Sequence, residues 1–342
     1  MSHLIFRADG NAQIGMGHVM RSLALAKMLG DTFQFAIVKP APAVVRLIED
    51  AGGMVVPLAT DDVAKFLQVL KPGNVAVLDG YAFGETYQRA VREQTAKLVF
   101  IDDLVVGHQL ADVVINHAGN VTESDYDAEP YTQFCLGPHY ALLRPEFLKA
   151  QTSTPPNDEI HPGPVFVSLG GADRHNTSLT VLEALQQVDA SAIIRIVLGP
   201  FHPDQAAIEA FRQQLPNLTI LHNLSAAQMV SELGQCSLAI TACSTVAYEV
   251  CAINRPLIAI VTAENQDRIA QFLSDEKLAL SVNFPTLLTR LTPVISLENM
   301  LKLAIQGFQF SPDETIVTLA NQRRFFDGRS PERLRTLFNT LC

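Results

Sequence analysis

The chain has no tryptophan, and aromatic residues make up only 7% of its 342 positions. It has no basic patch either: the densest cationic stretch, Arg323-Arg324, is followed at once by Phe325-Phe326-Asp327. With a net charge of −10, neither nucleic acid nor an anionic membrane is an expected partner. No apolar run reaches the length of a membrane span, and the run Leu4-Ile5-Phe6 is too short for a signal segment before charge ends it at Arg7. A cytoplasmic location follows as the expectation. The five cysteines (Cys135, Cys236, Cys243, Cys251 and Cys342) are odd in number and form no C-x-x-C pair. They read as small buried hydrophobes in a reducing compartment.

What is present is ample apolar material, 48% hydrophobic against 18% charged, enough for two buried cores. Short apolar runs alternate with helix-like segments: Leu4–Arg7, Phe33–Val38, Val75–Leu78 and Leu98–Ile101 as strands, His18–Leu29 and Pro42–Ala51 as helices. Continuous apolar strands spaced by helices are the pattern of a parallel sheet covered on both faces. Residues 151–164 are rich in Pro, Thr and polar residues, and read as a linker. After it the alternation resumes with strands at Val165–Leu169, Ile193–Leu198, Leu238–Thr241 and Leu257–Val261. The expected fold is α/β, with two Rossmann-like domains facing a cleft. Residues 1–150 form the first, 165–310 the second, and 311–342 form helices that return to the first. A monomer is the expected state.

Gly15-Met16-Gly17-His18 lies between the first strand and the first helix, where open α/β sheets bind ligands. The dinucleotide fingerprint fails there. Met20 stands where the third glycine belongs, and the second strand ends Val38-Lys39-Pro40 without the ribose-binding acid. No phosphate-binding G-x-x-x-x-G-K-[ST] occurs, so nicotinamide and P-loop chemistry are disfavoured and no cofactor is expected. What remains is His18 at a helix start. The helix dipole there disfavours imidazolium, and Arg21 one turn on adds to that. A neutral histidine can take a proton; the plainer alternative is a capping or exposed histidine.

In the second half, Gly170-Gly171-Ala172-Asp173 joins a strand to a helix, and its glycines let phosphate approach backbone N–H groups. Thr241-Ala242-Cys243-Ser244-Thr245 repeats that arrangement; Ser244 and Thr245 can cap the helix and donate to a diphosphate, and Glu249 can accept from ribose hydroxyls. Singly these are ordinary turns, caps and helix faces. Together they suit a nucleoside diphosphate. Asn265 and Gln266 offer donors and acceptors to a sugar, and Tyr81 could face the same cleft.

The runs Arg7-Ala8-Asp9, Ile14 to Arg21 and Leu23-Ala24-Leu25-Ala26 resemble the start of the UDP-2,4-diacetamido-2,4,6-trideoxy-β-L-altropyranose hydrolases of pseudaminic acid biosynthesis. So do Asp79-Gly80-Tyr81, Ile101-Asp102-Asp103-Leu104, and Tyr140 to Phe147. The second-half motifs match in order and are shared with two-domain glycosyltransferases of the B type. The resemblance implies a metal-independent, inverting hydrolase that releases UDP from a UDP-sugar, with His18 as general base for water. It places Arg7, Asp9, Gly17, Arg21, Tyr81, Asn265 and Gln266 with the sugar, and Gly170, Gly171, Ser244, Thr245 and Glu249 with UDP. Its rivals are a UDP-sugar glycosyltransferase, a hydrolysing 2-epimerase and a non-catalytic nucleotide-sugar-binding protein.

Overall fold

The computed structural model describes residues 3–11, 14–30, 32–95, 97–153, 162–170, 173, 175–199, 202–283, 297–310 and 312–341. The chain divides into two units: Met1–Pro145 with Arg329–Cys342, and Glu146–Gly328. Most of the expected linker lies outside the described residues, as does Gly171. Among the described residues no helix is long and apolar enough to cross a membrane.

Unit 1 runs β1 (Leu4–Ala8), α1 (Gly17–Leu29), β2 (Phe33–Val38), α2 (Pro42–Asp50), β3 (Met54–Leu58), α3 (Val63–Leu67), β4 (Val75–Asp79), α4 (Glu85–Arg92), β5 (Lys97–Ile101), β6 (His108–Gln109), β7 (Val113–Asn116), β8 (Asp127–Ala128) and β9 (Gln133–Leu136). Seven strands form one sheet in the order β3-β2-β1-β4-β5-β7-β9, every pairing parallel. All five residues of β1 and of β4 are buried, which is why these central strands carry unbroken apolar runs. Phe6 of β1 stacks on Phe35 of β2 with ring centroids 4.8 Å apart. The chain lays β2 and β3 on one side of β1, then crosses over to place β4 on the other. The crevice beyond the carboxyl ends of β1 and β4 is the topological switch point, where such sheets bind ligands.

Unit 2 follows with α5 (Pro145–Ser153), β10 (Val165–Ser168), α6 (Thr177–Val188), β11 (Ile194–Leu198), α7 (Gln205–Phe211), β12 (Leu218–His222), α8 (Ala226–Gln235), β13 (Leu238–Ala242), α9 (Thr245–Ile253), β14 (Leu257–Val261), α10 (Asp267–Asp275), β15 (Leu280–Asn283), α11 (Leu297–Phe310) and α12 (Pro312–Phe325). Its parallel sheet has the order β12-β11-β10-β13-β14-β15, so the switch point lies between β10 and β13. The reading of 311–342 as one block returning to the first domain is corrected. Helix α12 stays in unit 2, where Gln322 donates to the carbonyls of Arg255 and Leu278. Only α13 (Ser330–Leu341) joins unit 1. It buries Leu334, Phe338 and Leu341, and Arg333 donates to the His139 carbonyl at 3.3 Å.

Candidate active site

Gly15, at φ +79°, turns the chain out of the loop after β1; such a φ suits glycine. Asn11 and Gly15 exchange backbone hydrogen bonds across this turn, and α1 begins two residues later. No side chain caps α1. His18 is therefore in the first turn of α1, 6% exposed, at the carboxyl end of the sheet.

Its partner comes from β4. His18 Nδ1 lies 2.7 Å from Asp79 Oδ1 and 3.2 Å from Arg21 Nη2; the carboxylate, which only accepts, is the nearer, so Nδ1 carries the proton and donates it to Asp79. In the neutral ring the other nitrogen, Nε2, then has the lone pair and can take a proton. Asp79 is fully buried and also accepts from Arg21 Nε (2.8 Å), Arg21 Nη2 and Ser22 Oγ (2.9 Å). Burial alone would raise its carboxyl; the Arg21 guanidinium and His18 outweigh that and hold it far below the carboxylate range. Arg21, expected to act on His18 as a nearby cation, is itself bound by Asp79, and the residue that fixes the histidine's tautomer is the carboxylate.

The neighbouring strand extends the cluster. Arg21 Nη1 donates to Asp103 Oδ1, just after β5, and Tyr81 OH approaches Asp103 Oδ2 at 3.4 Å. The Tyr81 ring stands edge-on to His18 at 4.8 Å and is 54% exposed. Partial burial and Asp103 push its phenol well above the usual value, so it remains a donor. Gly80 permits this turn, since a Cβ there would meet Phe83 Cε2 at 2.9 Å.

At the end of β7, His117 is 4% exposed. Burial first, and Arg21 second, push it down to about 4. The folded chain thus resists a proton that the unfolded chain binds below about 6.5. Stability is therefore whole above that value and falls as pH drops from about 6.5 to about 4, by up to about 3 kcal/mol. Urea denaturation across this window should show the slope, and His117→Gln should flatten it.

Arg7 and Asp9 do not join this group. Arg7 is 1% exposed; its guanidinium lies over the Phe83 ring, 5.2 Å from the centroid, and 2.7 Å from Asp9 Oδ1. The same oxygen accepts from Val38 N–H at 2.8 Å. Together they clamp the ends of β1 and β2, with Arg7 buried and Asp9 still 23% exposed. Gly17 has an ordinary φ, and a Cβ there would meet nothing within 4 Å. The packing around it does not demand glycine.

In unit 2 the two expected phosphate turns differ. Gly170 turns at φ +89°, but the first N–H groups of α6 are taken: Asp173 accepts from Thr177 N (3.0 Å) and Ser178 N (2.9 Å). Gly171, the second glycine of that turn, lies outside the described residues. Ser244 precedes α9 but makes no side-chain cap, against the sequence expectation. Thr245 and Glu249 lie one turn apart on α9, and Glu249 is buried rather than on a solvated face. Cys243 is fully buried and its backbone N–H bonds Ile260 O at 2.8 Å. Gln266 Oε1 accepts from Thr262 N at 2.7 Å, closing the turn after β14 and leaving only its amide N–H groups for a ligand. Asn265 beside it is partly exposed. Among the described residues no group of His, Cys, Asp and Glu is placed to hold a metal ion.

No protein-family model matches the chain. An uncharacterised protein of Methanocaldococcus jannaschii, MJ1062, is 32% identical over 203 residues, 56% of this chain and only 41% of that longer relative. The UDP-2,4-diacetamido-2,4,6-trideoxy-β-L-altropyranose hydrolase of Campylobacter jejuni is 24% identical over 79% of this chain and 96% of its own. The spore coat polysaccharide biosynthesis protein SpsG of Bacillus subtilis is 24% identical over 82% and 83%. Among solved structures, MurG of Acinetobacter baumannii superposes with TM-score 0.62 at 15% identity, covering 99% of this chain and 100% of its own. The calicheamicin glycosyltransferase CalG4 gives 0.65 at 14%, covering 100% and 98%. The chain thus has the glycosyltransferase B-type fold and weak homology to the Campylobacter hydrolase and to SpsG.

Proposed function

We propose that the chain hydrolyses a UDP-linked diacetamido sugar, UDP-2,4-diacetamido-2,4,6-trideoxy-β-L-altropyranose, to UDP and the free sugar. The observation that carries this reading is the 2.7 Å bond from His18 to buried Asp79 at the switch point of unit 1. It presents a histidine whose Nε2 accepts, beside a phenol that donates. Water gives a proton to Nε2 as its oxygen bonds to the anomeric carbon from the face opposite UDP. The carbon–oxygen bond to the diphosphate breaks, its electron pair stays on UDP, and the anomeric configuration inverts. Tyr81 and Asn265 hold the sugar. The start of α9, where Ser244 makes no side-chain cap, takes the diphosphate with Ser244 and Thr245, and Glu249 the ribose. Charge developing on the leaving group is stabilised by donors already in place.

The distant hydrolase aligns across 96% of its length, which supports the substrate; the histidine–aspartate pair supports the chemistry. A screen of UDP-sugars for UDP release without acceptor, with NMR of the product, tests it. Free sugar with unchanged C2 from the diacetamido substrate is the expected result. Release only with an added acceptor makes the protein a transferase, inversion at C2 makes it an epimerase, and binding without release makes it a sensor.

A further inference from the structure

The start of α6 is closed by the chain itself. The two oxygens of Asp173 each accept one backbone N–H, from Thr177 and Ser178. His202, on the loop after β11, brings Nε2 to 3.4 Å from Asp173 Oδ2, and both side chains are 2% exposed. His202 Nδ1 accepts from Asp204 N–H at 3.3 Å, so the ring proton sits on Nε2. That nitrogen makes no hydrogen bond among the described residues; it faces Asp173 Oδ2 across 3.4 Å as an ion-pair contact. Two backbone N–H groups at the positive end of a 12-residue helix therefore bond one carboxylate, and a buried, otherwise unpartnered imidazole nitrogen is aimed at it from 3.4 Å. Burial works against charge on Asp173; His202, Ser178 and Thr177 outweigh it and hold the carboxyl below its ordinary value. Such a donor set is what an open helix start offers a free anion.

We propose that the start of α6 is an anion site occupied by the Asp173 carboxylate, which confines a ligand's diphosphate to the start of α9. The confinement rests on the UDP reading above; the occupied site does not. A phosphate brought to the β10–α6 turn meets a like charge, whereas at α9 it meets a helix start whose N-cap residue, Ser244, makes no side-chain cap. Asp173 and His202 are thus specificity-determining residues that work by exclusion.

Backbone amide NMR of the full chain, titrated first with inorganic phosphate and then with UDP, tests this. In the unaltered protein the Thr177 and Ser178 amides stay fixed with both ligands, while UDP moves those of Thr245 and Val246. Asp173→Ala empties the site: phosphate then shifts Thr177 and Ser178, binding roughly tenfold or more tighter than to the unaltered chain. Adding His202→Phe reverses most of that gain, and Asp173→Asn, which keeps an acceptor in place, gains none. Movement of Thr177 and Ser178 in the unaltered protein on adding phosphate or UDP overturns the proposal, as does a folded Asp173→Ala chain indifferent to phosphate. If Asp173→Ala gains phosphate but UDP moves no amide of α9, the occupied site stands and the UDP reading falls.

Discussion

Asp79→Asn should destabilise unit 1 by about 3–5 kcal/mol and lower turnover in the proposed reaction by roughly 10⁴-fold. The stability loss comes from what the substitution strands. Asp79 is fully buried and holds Arg21, which is itself 7% exposed and keeps Asp103 as its one carboxylate once Asp79 is gone. An amide offers one acceptor oxygen where the carboxylate takes four hydrogen bonds, from His18, Arg21 twice and Ser22. The turnover loss has a separate origin. An amide N–H facing His18 favours the tautomer with its proton on Nε2, and that nitrogen can then no longer accept from water. Five of the six tyrosines lie in unit 1 and the chain has no tryptophan, so tyrosine fluorescence in urea follows this unit. The sign with pH is fixed as well. Because the folded carboxyl is depressed, its contribution is complete above about 3.9 and is lost as pH falls below that toward the folded value. The gap between the two proteins should therefore narrow below pH 4. A constant gap down to pH 2 would sink the account of Asp79 as a charged hub.

Much of this fold was legible because its code is local. Unbroken apolar runs such as Leu4-Ile5-Phe6 and Val75-Ala76-Val77-Leu78 become β1 and β4, buried along their whole length. The turn before His18 announces itself by glycine. Pairings were not legible, because they depend on strand order. His18 and Asp79 are 61 positions apart and meet only because β4 lies beside β1. Aspartates at the ends of β4 and β5 were the available signal, since acids there adjoin whatever follows β1. The surroundings of Arg7 were not legible either: β1 is covered on both faces, and the guanidinium finds Phe83 and Asp9. Nor were those of Asp173. Glycines before a helix suggest a bound phosphate, but an acid four residues before the helix starts can supply the anion itself. Edge strands β9 and β15 carry short mixed sequences, Gln-Phe-Cys-Leu and Leu-Ser-Val-Asn, with too little apolar run to stand out. The division of the C-terminal helices is also invisible to pattern: α12 and α13 differ in partner, not in kind.

His18→Asn should leave the fold and UDP affinity nearly unchanged while lowering kcat by roughly 10²–10⁴-fold, the usual worth of a positioned general base. The asparagine amide can still donate to Asp79, so the buried carboxylate and Arg21 keep their network and stability moves little. The proposed UDP contacts are all in unit 2, so calorimetric titration with UDP should give the same Kd as the unaltered chain. Loss of an interaction made only in the transition state appears in kcat and kcat/KM together. A structural role and a chemical one separate in two further measurements. In a His18→Ala chain, the space beside Asp79 can admit free imidazole, and added imidazole should restore part of the turnover in a saturable way. In the double variant of His18→Asn with Asp79→Asn, the loss in kcat should match the larger single loss rather than the product of both, because Asp79 acts on turnover through the histidine. Multiplicative losses would mean that Asp79 touches the reaction independently. Full turnover by His18→Asn would remove the general base, and with it the proposed mechanism.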